Sequence, residues 1–128
     1  MVRAKTRVVG ADAENLAFQF LTGQGLTPVQ RNFQCRLGEL DLIMRDDNCL
    51  VIVEVRYRGS KSLVTAGLTI DRRKQQKLIR TTALYLAWNP RYADCTVRFD
   101  VVGIDVDACA EMRVEWIRDA FRPVDASL

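Results

Sequence analysis

The sequence predicts an α/β domain: a mixed sheet of about five strands with flanking helices, in the order α-β-β-β-α-β-β. Two long segments, residues 9–23 and Ile70–Trp88, carry apolar residues at helical spacing. Five shorter segments rich in β-branched and aromatic residues lie between turn signals. The second helix stands between two strands, which favours a right-handed crossover onto a mixed sheet. No repeat, low-complexity tract or linker interrupts the 128 residues, so 1–128 reads as a single domain.

In residues 9–23, Ala13, Leu16, Ala17, Phe20 and Leu21 form one apolar stripe, and Gly23 and Gly25 supply the stop. Glu14 lies one residue off that stripe. Thr27–Cys35 is the first strand, with Val29 and Phe33 after Pro28. Gly38 opens a second strand, Glu39–Met44. Asp46-Asp47-Asn48 is turn chemistry, and Leu50–Tyr57 returns as the other arm of a hairpin. Gly59–Gly67 is a Gly/Ser/Thr-containing loop long enough to be a candidate functional loop. Thr69 is the candidate N-cap of the second helix. Leu78, Thr82 and Leu86, with Ile79 and Ala83, form its apolar side, and Asn89-Pro90 ends it. Thr96–Ile104 and Met112–Ile117 are the remaining strands.

Composition narrows the chemistry. With 48% hydrophobic and 27% charged residues the chain is globular rather than disordered. The longest apolar run of the strand region, Leu50–Val53, is stopped by Glu54, far short of the roughly 20 residues of a membrane span. No apolar segment follows the positive charges near the N-terminus, so no secretory signal and no membrane partner are expected. There are no histidines, which removes Ser-His-Asp and Cys-His systems, His-ligated zinc and histidine bases. Cys35, Cys49, Cys95 and Cys109 are widely spaced and read as reduced thiols of a cytoplasmic protein. Catalysis would then rest on carboxylates, Lys, Arg, Tyr, hydroxyls or an oxygen-held metal.

Charge is segregated. Residues 56–80 hold eight basic groups against one acid, whereas residues from 100 onward hold seven acids against three basic groups. One face suited to a polyanion is the functional reading, and a solvated helix face is the plain one.

The hairpin concentrates the acids. Glu39, Asp41 and Ile43 are expected on one face of the first arm, and Ile52, Glu54 and Arg56 on one face of the second. A two-residue turn at Asp47-Asn48, or a four-residue loop Asp46–Cys49, pairs residues whose numbers sum to 95, setting Asp41 opposite Glu54, Glu39 opposite Arg56 and Ile43 opposite Ile52. A three-residue loop would instead set Asp41 against Val53, which the face alternation disfavours. Opposed carboxylates are unfavourable unless neutralised, and burial raises the cost. Two carboxylates plus water suit Mg²⁺ or Mn²⁺. Pairing of these acids with Arg56 and another basic side chain is the alternative.

Several motifs together resemble the bacterial YraN family. They are G-x-x-x-E at Gly10–Glu14, R-N at Arg31-Asn32, G-E-L-D-L-I at Gly38–Ile43 and V-E-V-R-Y-R at Val53–Arg58. R-x-K-Q at Arg72–Gln75, R-F-D-V-V at Arg98–Val102 and V-E-W-I-R-D-A-F at Val114–Phe121 complete the set. The resemblance covers nearly the whole chain. It implies a restriction-endonuclease-like fold, with a hairpin similar to the PD-(D/E)XK nuclease signature and a likeness to archaeal Holliday-junction resolvases. Asp41 then takes the first acid's place, Glu54 that of the E-x-K acid, and Glu14 that of a helix-borne glutamate added to the metal site. Arg56 falls where such nucleases usually carry lysine. Arginine is planar and always charged, so it can stabilise phosphate charge but is a poor proton acceptor.

The resulting expectation is a metal-dependent nuclease on structured DNA. Asp41, Glu54 and Glu14 are its metal and catalytic acids, Mg²⁺ or Mn²⁺ its cofactor, and Arg56 its charge stabiliser. Arg58, Lys61, Arg72, Arg73, Lys74, Gln75 and Lys77 are its nucleic-acid contacts. Tyr57, Tyr85 and Trp88 are candidate stacking residues, more readily explained as core or edge aromatics. Junction cleavage needs two sites, which a homodimer would supply. A nucleic-acid-binding module without turnover is the alternative that Arg56 favours, and a protein-interaction adaptor is a third.

Overall fold

The computed structural model describes residues 10–58, 69–106 and 111–123. Helix α1 (Gly10–Gly23) is followed by strands β1 (Thr27–Cys35), β2 (Gly38–Asp46) and β3 (Cys49–Arg58). Helix α2 (Arg72–Trp88) and a 3-10 turn (Pro90–Tyr92) precede β4 (Thr96–Val106) and β5 (Met112–Phe121). The order is the expected α-β-β-β-α-β-β. The five strands form one sheet in the order β1-β2-β3-β4-β5. Only β3 and β4 are parallel, paired from Cys49↔Thr96 to Arg58↔Asp105.

Strand β3 is central and has apolar neighbours on both faces, which explains the unbroken Leu50–Val53 run. Leu50 and Ile52 join Ile43, Phe99 and Val101 in a core with Ile70, Leu78 and Tyr85 of the α2 side. Val51 and Val53 join Leu42, Met44, Val102 and Ile104 in a second core with Ala13, Ala17 and Leu21 of α1. Leu21 is fully buried, so its truncation to alanine should cost about 2–5 kcal/mol. Among the described residues no helix is long and apolar enough to cross a membrane.

Several expected boundaries shift. The N-cap of α2 is Asp71 rather than Thr69: its Oδ1 accepts the Lys74 backbone N–H at 2.8 Å. The buried face of α2 is Leu78, Thr81, Thr82 and Tyr85, while Ala83 is exposed and Ile79 and Leu86 flank the core. Thr81 tolerates burial because its hydroxyl donates to the Lys77 carbonyl at 2.8 Å. Tyr85 is core rather than a stacking platform, packed edge-on against Phe33. Trp88 is exposed but also leans edge-on toward Phe33, and Tyr57 is exposed. The Gly59–Gly67 loop lies outside the described residues.

Strand β5 runs to Phe121, four residues past the expected end at Ile117, because of a built irregularity. The β4–β5 register shifts between Phe99 and Val101, and Asp119 takes φ 54. The Asp100 side chain holds this distortion. It is fully buried and accepts from Arg98 Nε and Nη2, Trp116 Nε1 and the Asp119 backbone N–H, each at 2.9 Å. Four donors saturate a carboxylate. Arg98 also approaches the more exposed Asp46 at 3.5 Å.

Asp100 is therefore structural. Asp100→Ala should cost about 3–5 kcal/mol in urea denaturation, since it strips a buried ion pair of one partner. Asp46→Ala should cost less than about 1 kcal/mol. A loss below that same small figure for Asp100→Ala would contradict this assignment.

Candidate functional site at a fork in the sheet

The β2–β3 register is the one whose paired numbers sum to 95. Ile43 opposes Ile52, Leu42 opposes Val53, and Asp47-Asn48 turns between Asp46 and Cys49. The ladder ends at Leu42↔Val53. Beyond it β2 continues against β1 as far as Cys35↔Gly38, and β3 continues against β4 as far as Arg58↔Asp105. The sheet thus forks just where the acids begin.

The fork corrects the expected cross-strand pairs. Asp41–Glu54 and Glu39–Arg56 are not ladder partners. Asp41 Oδ2 instead accepts the Val55 backbone N–H at 2.9 Å, so a side chain takes a strand donor where the ladder has stopped. Glu39 accepts from Gln34 Nε2, its β1 partner, at 3.2 Å.

Strict alternation also breaks here. Leu42 packs in the α1 core, whereas Leu40 packs in the α2 core despite its even spacing from Leu42. On β1, Asn32 adopts φ 53 between the pairs Arg31↔Leu42 and Phe33↔Leu40. Asparagine tolerates this left-handed backbone better than most residues. Both strands therefore change sides at Asn32 and Asp41, so the strict alternation expected across Glu39, Asp41 and Ile43 does not hold.

This crossing puts Asp41 within electrostatic reach of α1 and α2 at once. The Glu14 carboxyl of α1, when protonated, donates to the Asp41 carboxylate, and Lys74 of α2 acts on both Asp41 and Glu54. Lys74 Nζ lies 3.4 Å from Glu54 Oε2, with the Glu54 side chain 12% exposed and that of Lys74 41%. Arg31 secures the α1 side: Nη2 donates to Asn15 Oδ1 at 2.7 Å, and the guanidinium stands 4.7 Å from the Phe18 ring centre. Its charge also favours ionised Glu14.

All three acids hold protons more tightly than usual. Burial is the first cause for each. Next, the charge of Asp41 raises both Glu14 and Glu54. For Asp41, the Val55 N–H pulls downward and the charge of Glu39 pushes upward. Lys74 offsets part of the rise at Glu54, ahead of Arg56.

The basic residues divide by role. Arg72, Arg73 and Lys77 are exposed on α2. Gln75 commits an amide N–H to the Ile70 carbonyl at 2.8 Å, helping to start the helix. Arg56 is half-buried on β3. Lys61 and the Arg58 side chain lie outside the described residues. Lys74 and Lys77 line a groove of about 390 Å³ facing Gln34, Gly38 and Glu39. Gly38 permits that close approach, because a Cβ there would meet Thr81 Oγ1 at 2.9 Å.

Sequence reasoning placed Lys74 among phosphate contacts and left Arg31 and Asn32 without a role. The signal for Lys74 was its place at the start of a basic helix, but its reach to Glu54 is tertiary. Among the described residues no three of His, Cys, Asp and Glu gather into a ready metal-holding set. The donors that fit a hard divalent ion are the two carboxylates Asp41 and Glu54, with water completing the shell. Their mutual repulsion is what such an ion would relieve.

A carboxylate whose folded pKa is raised loses native stability as pH rises from its unfolded value through its folded value. Without divalent ions, Asp41→Asn should therefore be more stable than wild type at pH 7, by about 0.5–2 kcal/mol. The advantage should shrink as pH falls into the ordinary carboxylate range, where folded Asp41 takes up its proton before the unfolded chain does. Chemical denaturation from pH 4 to 8 checks this, and an Asp41→Asn protein less stable throughout would contradict it.

A model of the uncharacterised protein family UPF0102 matches residues 13–104, which include Glu14, Asp41, Glu54 and Lys74. A UPF0102 protein of Alcanivorax borkumensis is 42% identical over 121 residues, spanning 94% of this chain and 96% of its own. One from Saccharophagus degradans is 43% identical over 118 residues, spanning 92% and 96%. One from Stutzerimonas stutzeri is 46% identical over 112 residues, spanning 88% and 92%.

Proposed function

The chain belongs to the uncharacterised protein family UPF0102, and from its forked sheet we propose that it is a metal-dependent nuclease hydrolysing phosphodiester bonds in structured DNA. The observation that carries the reading is the pair of mutually repelling, half-buried carboxylates, Asp41 and Glu54, at the mouth of the fork beside a basic helix.

Asp41 and Glu54 would hold Mg²⁺ or Mn²⁺, whose chemistry is to polarise the phosphodiester and lower the pKa of bound water. The Val55 N–H fixes one oxygen of Asp41. Glu14 hydrogen-bonds Asp41 and tunes its charge rather than forming a third arm of a preformed cage. Arg56 lies on the same strand as Glu54 and supplies positive charge for the phosphate. Arg72, Arg73 and Lys77 present cations to neighbouring phosphates, which positions a strand without reading its sequence. The choice of junctions or flaps follows the resemblance to resolvases, and a dimer would bring two such sites to one junction.

A catalytically silent nucleic-acid-binding module is the second reading, favoured by one observation: Lys74 already neutralises part of the acid pair.

A cleavage assay on duplex, flap and four-way-junction DNA separates the two. The nuclease requires Mg²⁺ or Mn²⁺ and loses at least about 100-fold in Asp41→Asn and Glu54→Gln, both of which should fold. Arg56→Lys should retain or raise cleavage, and Arg56→Ala should abolish it. Wild type and Arg56→Lys both inert on every substrate, with DNA binding intact, would establish the silent module.

A further inference from the structure

We propose that Lys74 is an exchangeable counter-ion: it occupies the acid pair when no divalent cation is there and is released to a phosphodiester in the adjoining groove when one arrives. The inference rests on the metal-dependent reading above and adds to it a coupling between ion binding and substrate binding.

Three observations carry it. First, the ion pair is lopsided. Glu54 is held on the central strand with its side chain 12% exposed, whereas the Lys74 side chain is 41% exposed. The acid cannot easily leave, but the ammonium can. Second, the backbone of Lys74 is fixed while its side chain is not. Its amide is tied to Asp71 Oδ1 at 2.8 Å in the first turn of α2. A flexible four-carbon stem thus pivots about a set origin. Third, Lys74 already borders both places. It touches Glu54 on one side and, with Lys77, lines the groove facing Gln34 and Gly38 on the other.

A divalent cation on Asp41 and Glu54 outcompetes an ammonium for the same oxygens and repels it. The groove, lined by Lys77 and by the Glu39 carboxylate, then holds two ammonium groups against one acid. A phosphate there would gain a contact that the ion-free protein withholds. Arg56 does not fit this role, because its effect on Glu54 is weaker than that of Lys74 and it does not line the groove.

The test uses the whole chain and its Lys74→Met, Lys74→Arg and Arg80→Met variants, with folding checked by circular dichroism. Free Mn²⁺ is titrated by electron paramagnetic resonance. Lys74→Met should bind Mn²⁺ about fivefold tighter than wild type, the scale of a partly screened ion pair. Lys74→Arg keeps the competing charge and should bind much as wild type does. Arg80→Met removes an equal charge from an exposed site on the same helix and should also change little. Binding of a hydrolysis-resistant phosphorothioate duplex is then measured against salt. Lys74→Met should lower the slope by about 0.9 with Mn²⁺ present, one phosphate contact, and leave it unchanged without the ion.

Equal slope losses with and without Mn²⁺ would make Lys74 a permanent phosphate contact and overturn the exchange. So would Mn²⁺ affinity in Lys74→Met no higher than in Arg80→Met. Those results leave the metal-dependent reading standing. A wild type that binds no Mn²⁺ would overturn both.

Discussion

Like charges held close together where water screens them poorly repel, and Asp41 and Glu54 are held that way at the end of the β2–β3 ladder. Their neighbours each answer that repulsion. The Val55 N–H binds one oxygen of Asp41, Lys74 reaches Glu54 from the far helix, and Glu14 shares a hydrogen bond with Asp41. Even so, all three acids stay reluctant to ionise. A set of groups this costly persists only when the surrounding structure holds it in place.

The frame that holds it is the covered sheet. Both faces of β3 are sealed by apolar side chains, with α1 packed through Ala13, Ala17 and Leu21 and α2 through Leu78 and Tyr85. Because β3 is also paired along its length with β4, Glu54 cannot retreat from Asp41 by moving its strand. The freedom lies with β2, which leaves the ladder and turns across the sheet at Asp41 with the help of Asn32. At the opposite side of β4, saturated Asp100 fixes the β4–β5 irregularity, so a fully buried acid serves the frame while the half-buried Asp41 and Glu54 stand at the fork.

Much of this was legible in the sequence. Helical periodicity gave both helices, and the Asp47-Asn48 turn together with the alternation of faces favoured the register that pairs Ile43 with Ile52 over the one a three-residue loop would give. The motif resemblance to the YraN family agrees with the UPF0102 membership. What alternation could not give was the break at Asp41. Period-2 reasoning assumes an unkinked strand, and asparagine's tolerance of left-handed backbone does not by itself place a break at Asn32. The α2 face was misjudged because Thr81 looks polar until its hydroxyl is seen to bond back to Lys77. Lys74 was grouped with its basic neighbours because its contact with Glu54 spans two elements that only packing brings together.

The central claim is that the fork takes a divalent ion between its two carboxylates. Crystals soaked in Mn²⁺ and measured at the manganese absorption edge test it directly. The account predicts one anomalous peak between Asp41 and Glu54, with Lys74 Nζ withdrawn from Glu54 toward the groove. No peak there at millimolar Mn²⁺, with the Lys74–Glu54 ion pair intact, would contradict it.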